Sequence, residues 1–154
     1  MTSQRTKMDR SNLLFRLSLM TRRWRQILDT EIQASGLTDA TWRPLLHLHL
    51  LGDGTRQKDL AESLGIKGPS LVRLLDALLE KGLVRRLEDD SDRRAKLLFL
   101  TPEGRVHVNR IQGTILSLEN ELFGKFSEGE IKKMENFILR LESAMSEIGL
   151  HSKQ

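Results

Sequence analysis

The sequence runs to 154 residues with no cysteine and no tyrosine, 38% of it hydrophobic and 30% charged. That length suits one ordinary domain with enough apolar residues for a core, and the missing cysteines exclude disulfides, thiolate zinc sites and thiol redox switching. The longest apolar run, Leu97 to Leu100, falls far short of the roughly 20 residues that span a bilayer, and a net charge of +4 identifies no partner by itself.

The first segment reads as a long helix. Leu13, Leu14, Leu17, Met20, Trp24, Ile27, Leu28 and Ile32 recur at three- and four-residue steps and share one face. Gly36 ends it, and Thr38 is the N-cap expected for a second helix through Leu51. Gly52-Asp53-Gly54 breaks the chain. A third helix is expected from about Thr55 to Leu64, stopped by Gly65, and a fourth from Gly68-Pro69 to Lys81, closed by Gly82. The strand-like runs are Leu83 to Leu87 and Leu97 to Leu100, and the charged stretch Glu88 to Lys96 reads as a long exposed hairpin loop. Thr101-Pro102 starts another helix. Ser127 and Glu130 form a capping box before a last stripe of Ile131, Met134, Ile138, Leu141, Met145 and Ile148, close to a coiled-coil seam.

Gln57 to Lys81 has the spacing of a helix-turn-helix. Leu60, Leu64, Ile66, Leu71, Leu74 and Leu78 supply a shared core, Ala61 permits close approach, and Gly65 permits the turn. Removing the core face leaves Ser70, Arg73 and Ala77 on one side, with Lys67 near the helix start, where phosphate is favoured. An ordinary helical hairpin with a solvated arginine explains this segment alone equally well. The following hairpin adds Asp92-Arg93-Arg94-Ala95-Lys96, three cations expected at a loop tip, where they can reach phosphate or a minor groove. Asp92 is placed to hold the Arg94 guanidinium. Against this, Glu88-Asp89-Asp90 repels phosphate and favours a merely solvated charge run. A hairpin directly after a helix-turn-helix is nevertheless the arrangement of a winged helix.

Asp92-Arg93-Arg94-Ala95-Lys96 followed by Leu97 to Thr101 resembles the wing of the MarR family of bacterial transcription regulators: Asp, any residue, Arg, a small residue, Lys, then a strand ending in Leu-Thr. Pro69 to Arg73, Glu80 to Leu83, and Leu37-Thr38 with Trp42 are similar to the SlyA subgroup. The resemblance covers roughly Leu13 to Ile148. It implies a mainly α (α+β) fold over 1–154, with a winged helix-turn-helix lobe at 38–101 and a helical dimerisation region at 10–36 and 102–148. It further implies a homodimer reading a pseudo-palindromic operator in double-stranded DNA. Ser70 and Arg73 would lie in the major groove, Arg94 in the minor groove with Asp92 orienting it, and Lys96 in support of the wing or on phosphate; Lys67 and Arg93 are DNA-binding candidates from their placement at the helix start and the loop tip. A small aromatic carboxylate or phenolic effector is implied too, with Arg22, Trp42 and His49 as pocket candidates. The competing reading makes Trp42 core and Arg22 surface.

The dimer also has a warrant in the residues. A lobe of about 50 residues has a small core, and the terminal apolar stripes exceed what it can cover. No metal or cofactor is expected: His47 and His49 lie about 200° apart on a helix, no HExxH or Cys/His cluster exists, and no GxSxG or phosphate loop marks an enzyme. Arg16, Arg22, Arg23 and Arg25 around Trp24 read as a solvated rim on a core tryptophan rather than a membrane-binding face. Met1 to Arg10 has no apolar signal core, so the expected location is the bacterial cytoplasm, at the nucleoid. Two other functions remain open: an effector-free architectural or anti-silencing DNA-binding protein, and a helical protein-interaction module that has lost DNA binding.

Overall fold

A computed structural model describes residues 12–151. The polar stretch Met1–Arg10 and the expected start of the N-terminal arm at residue 10 lie outside the described residues, as do 152–154. Helix α1 (Leu13–Ala34) is followed by α2 (Asp39–Leu51), strand β1 (Thr55–Arg56), α3 (Gln57–Leu64) and α4 (Gly68–Glu80). Then come β2 (Val84–Asp89), β3 (Asp92–Leu100), α5 (Pro102–Phe123) and α6 (Glu128–His151). Residues up to Ile115 form one compact unit and those from Leu116 onward a second.

In the first unit the helices end where the local chemistry says they must. Gly65 takes the left-handed conformation (φ 67°, ψ 29°). There the Ile66 N–H reaches back to Ala61 O at 3.1 Å and the Gly65 N–H to Glu62 O at 3.1 Å, using carbonyls that the end of α3 leaves free. The end of α4 closes the same way, with Leu83 N–H bonded to Leu78 O at 3.0 Å and both side chains buried. Leu60, Leu64, Leu71 and Leu78 are buried as expected, but Leu75 is fully buried as well, while Ile66 and Leu74 are only half-buried. Four leucines from Leu71 to Leu78 at three- and four-residue steps leave the helix to rotate onto whichever stripe packs best, and α2 and β2 decide it. Pro44 lies inside α2 and is fully buried, so tertiary packing overrides a residue that locally disfavours helix.

The sheet departs from expectation twice. Thr55 and Arg56 do not begin a helix; they form a third strand, with Thr55 opposite Leu98 and Arg56 opposite Leu97. The strand order is β1-β3-β2, antiparallel throughout. Nor is Glu88 to Lys96 a long loop. Strand β2 continues to Asp89, β3 starts at Asp92, and only Asp90 and Ser91 lie between. Asp89 makes so tight a turn possible, because its Oδ1 accepts the Ser91 N–H at 2.9 Å and the Ser91 hydroxyl at 2.7 Å.

One junction welds the sheet to α5. The Thr101 N–H bonds Leu83 O at 3.1 Å, its hydroxyl donates to Gly82 O at 2.6 Å, and Thr101 Oγ1 in turn accepts the Gly104 N–H at 3.0 Å. Gly104 is thereby pressed on the backbone: a Cβ there would stand 2.1 Å from Leu83 O. In the second unit the expected capping box is present, with Ser127 N–H on Glu130 Oε2 at 2.9 Å and Glu130 N–H on Ser127 Oγ at 3.3 Å. These bonds hold the Glu130 carboxyl below its ordinary pKa. On α6, Phe137, Ile138, Met145 and Ile148 are exposed.

Gly104→Ala is expected to lower stability by about 1–3 kcal/mol through overpacking, against the gain of about 1 kcal/mol that this change gives in an open helix; thermal melts measure the sign. A second expectation concerns His47 on α2, whose Nδ1 lies 2.7 Å from Ser63 Oγ on α3. Burial first, then the Arg43 charge, hold its pKa below 6.5. The unfolded chain therefore takes up a proton that the folded chain resists, so this contribution is whole above the unfolded value and lost as pH falls through the folded one. His47→Gln should flatten part of the fall in Tm from about pH 7 to about pH 5.5; an unchanged slope would show that other groups carry it.

Candidate nucleic-acid interface

Helix α4 begins with Lys67 as N-cap and Pro69 in its first turn, where a missing N–H is harmless. With Leu71, Leu75 and Leu78 turned inward, Lys67, Ser70, Arg73 and Ala77 all lie exposed along the opposite side. That row presents a hydroxyl and a guanidinium on the first two turns of a helix, the part that reaches base edges in a major groove. Among the described residues Arg73 has no carboxylate partner.

The other expected residues lie on β3, in a stretch with unusual register. Glu88 stands opposite Lys96 and Asp89 opposite Asp92, so Arg93, Arg94 and Ala95 have no counterpart on β2 and bulge out of the ladder. The cations therefore sit on the flank of the hairpin rather than at a loop tip, and Arg93 and Arg94 are exposed. Asp92 acts otherwise than expected: its Oδ1 accepts the Arg94 backbone N–H at 3.1 Å and is not bonded to the guanidinium. It shapes the bulge and leaves the Arg94 head without a carboxylate partner among the described residues.

Two of the neighbouring anions are paired within the lobe. Glu88 Oε1 takes Lys96 Nζ at 2.7 Å, and that hydrogen bond and charge hold the Glu88 carboxyl below its ordinary pKa. Asp89 is held low first by the Ser91 hydroxyl and N–H, then by Arg56, whose Nη2 lies 3.0 Å away. Two of the three carboxylates of Glu88-Asp89-Asp90 are thus engaged within the lobe, and Lys96 is held beside Glu88. Two further cations that the helix-turn-helix and wing motifs do not include, Arg85 and Arg86 on β2, are exposed. Arg85 stacks over the Phe99 ring at 5.1 Å from its centroid, a contact across the β2–β3 ladder that the residues Leu83 to Leu87 do not announce by themselves.

Arg22, Trp42 and His49 are distributed differently. Arg22 is exposed on α1 and His49 exposed on α2, whereas Trp42 is 3% exposed and donates its indole N–H to Asp29 Oδ1 at 2.8 Å. A ring stacking on that indole would first have to displace its packed neighbours. Trp24 is half-buried, with Arg16, Arg22, Arg23 and Arg25 exposed around it. A shallow open groove of about 460 Å³ lies instead between Leu51, Gly54, Arg56 and Asp59. Among the described residues no three His, Asp or Glu side chains gather as for a metal, and no helix is long and apolar enough to cross a membrane.

Comparison with known proteins places this geometry in context. The MarR family model matches residues 35–95, which span α2 through the wing bulge. A crystal structure described as the transcriptional regulator PA3341 is 38% identical, with TM-score 0.76 over 85% of this chain and 96% of that one. A crystal structure of MarR is 30% identical, with TM-score 0.75 over 92% and 96%. A variant of S. aureus MepR bound to an oligodeoxyribonucleotide is 27% identical, with TM-score 0.57 over 90% and 99%.

Asp92→Ala should leave the melting temperature within the range of an ordinary surface substitution, about 0.5 kcal/mol, while the Arg94 amide exchanges with solvent distinctly faster. Unchanged exchange at Arg94 would mean that the bulge holds its shape without this bond.

Proposed function

This chain belongs to the MarR family of transcription regulators, and from that premise we propose that it binds double-stranded DNA as a homodimer on a pseudo-palindromic operator. One observation carries the reading: a single lobe exposes the Arg73 side of α4 and the Arg93–Arg94 bulge of the hairpin, with Glu88 and Asp89 beside the bulge paired to Lys96 and Arg56. Ser70 and Arg73 enter the major groove, where a guanidinium can bond two acceptors on guanine. Arg94 enters the minor groove, where its flat, weakly hydrated head fits between the walls. Lys67 and Arg93 lie on phosphate. Lys96 stabilises the hairpin through Glu88. The DNA-bound MepR variant, similar in fold, supports the assignment.

The dimer is supported by apolar surface that the described chain leaves open: Leu14, Phe15 and Met20 on α1, and Phe137, Met145 and Ile148 on α6. A second copy covers such faces, and two-fold symmetry sets the two α4 helices about one DNA turn apart, about 34–36 Å. The residues Pro69 to Arg73 and Glu80 to Leu83 support a SlyA-like member acting at the bacterial nucleoid. A small aromatic carboxylate or phenol is the proposed modulator, for which exposed Arg22 and His49 offer the polar contacts.

Selection of bound fragments from random DNA is expected to return a pseudo-palindrome. On that site affinity should fall steeply with salt, with log–log slope about −0.9 per phosphate neutralised. Arg73→Ala should relax base preference and Arg94→Ala weaken binding, each by about 1–3 kcal/mol. A flat salt response, with both variants binding as the parent does, would favour the protein-interaction module. Salicylate and related acids should shift the affinity; no shift across the panel would favour an effector-free regulator.

A further inference from the structure

The hairpin bulge presents a mechanical problem. Between Glu88↔Lys96 and Asp89↔Asp92 the ladder holds nothing of Arg93, Arg94 or Ala95, so strand pairing alone does not fix the direction in which those residues project. The Glu88–Lys96 pair ties the two strands of the hairpin only to one another.

Arg56 is placed to supply what the ladder lacks. It is the last residue of β1 and the N-cap of α3, so its backbone belongs at once to the sheet, opposite Leu97, and to the first helix of the helix-turn-helix. Strands β1 and β2 flank β3. The Arg56 guanidinium nevertheless reaches Asp89 at the far end of β2, Nη2 to Oδ2 at 3.0 Å, and so spans the strand that carries the bulge. The Asp89 side chain is 14% exposed and that of Arg56 40%, so the pair is only partly sheltered from water. The other Asp89 oxygen holds the Ser91 N–H and hydroxyl of the turn. One carboxylate therefore binds the turn on one side and the helix-turn-helix on the other.

We propose that Arg56 is a positioning residue for DNA recognition: through Asp89 it fastens the wing to the start of α3, so that Arg94 and the reading helix α4 are held as one body. This rests on the DNA-binding reading above. The role differs from a phosphate contact, because it acts through the wing, chiefly through Arg94, and keeps only a small effect by way of Arg93 once Arg94 is gone.

The test is a double-mutant cycle on the full chain and its selected DNA, with Arg56→Ala, Arg94→Ala and the pair. Arg56→Ala should weaken binding roughly tenfold in the parent and less than about twofold in the Arg94→Ala background, the non-additivity expected of coupled groups. Asp89→Asn should reproduce the Arg56→Ala pattern. Equal losses in both backgrounds would overturn the proposal and make Arg56 a direct contact. Amide exchange on the DNA-free protein supplies the second readout: in Arg56→Ala the amides of Ser91 to Ala95 should exchange at least about fivefold faster while those of α5 keep their rates. Unchanged exchange in the wing overturns the proposal, and a general rise in every element overturns it in favour of a purely structural role. Should the parent chain select no DNA, the DNA-binding reading fails, whereas the exchange result still decides whether Arg56 holds the wing.

Discussion

Strand β3 is hydrogen-bonded along both edges, to β1 through Leu97 and Leu98 and to β2 through most of its length. Leu98 and Leu100 are buried, so the C-terminal half of the strand is clamped by packing as well as by its ladder. Both faces of the DNA-reading lobe are referred to this clamp. Through β1 it fixes where α3 begins, and through Leu100 and Thr101 it fixes where α5 leaves, with Gly104 pressed on the Leu83 carbonyl. The N-terminal half of the same strand has no such burial, so it is free to bulge and carry charge.

Charge in this lobe is sorted by bonding more than by composition. The wing holds as many anions near its end as a phosphate-binding surface tolerates poorly, yet Glu88 is bound to Lys96 and Asp89 to Ser91 and Arg56. A carboxylate so bonded keeps its charge at lower pH and presents less of it to an approaching phosphate. Arg73, Arg93 and Arg94 keep their heads in solvent. The net excess of +4 spread over 154 residues says little about function, whereas the local sorting says a good deal.

Each compact unit also leaves apolar surface open. In the first, Leu14, Phe15 and Met20 of α1 are exposed although Leu28 and Ile32 of the same helix are buried. In the second, α6 shows Phe137, Ile138, Met145 and Ile148 to solvent. Exposed apolar area of this extent is the kind of surface that association between protein chains covers.

What the amino-acid sequence determined by itself is the part of the molecule governed by neighbours within four residues. Gly36, Gly65 and Gly82 end helices, Thr101-Pro102 starts one and Ser127 caps another, because a helix end is satisfied by groups on its own last turn. That Ser70, Arg73 and Ala77 share one side of α4 follows from the same short-range geometry, whereas packing against α2 and β2 decides that this side is the exposed one. Tertiary structure decided what depends on distant partners. Thr55 and Arg56 look like a helix start and become a strand, because Leu97 and Leu98 offer them a ladder some 40 residues later. Asp92 was expected to hold the Arg94 side chain and instead bonds its backbone, since the bulge that brings the two together exists only once β2 and β3 are in register. Trp42 is buried against Asp29, and Asp89 is reached by Arg56, for the same reason. Pairing and burial are properties of the assembled chain; even the Asp92–Arg94 contact, only two residues long, takes its shape from a register set across the sheet.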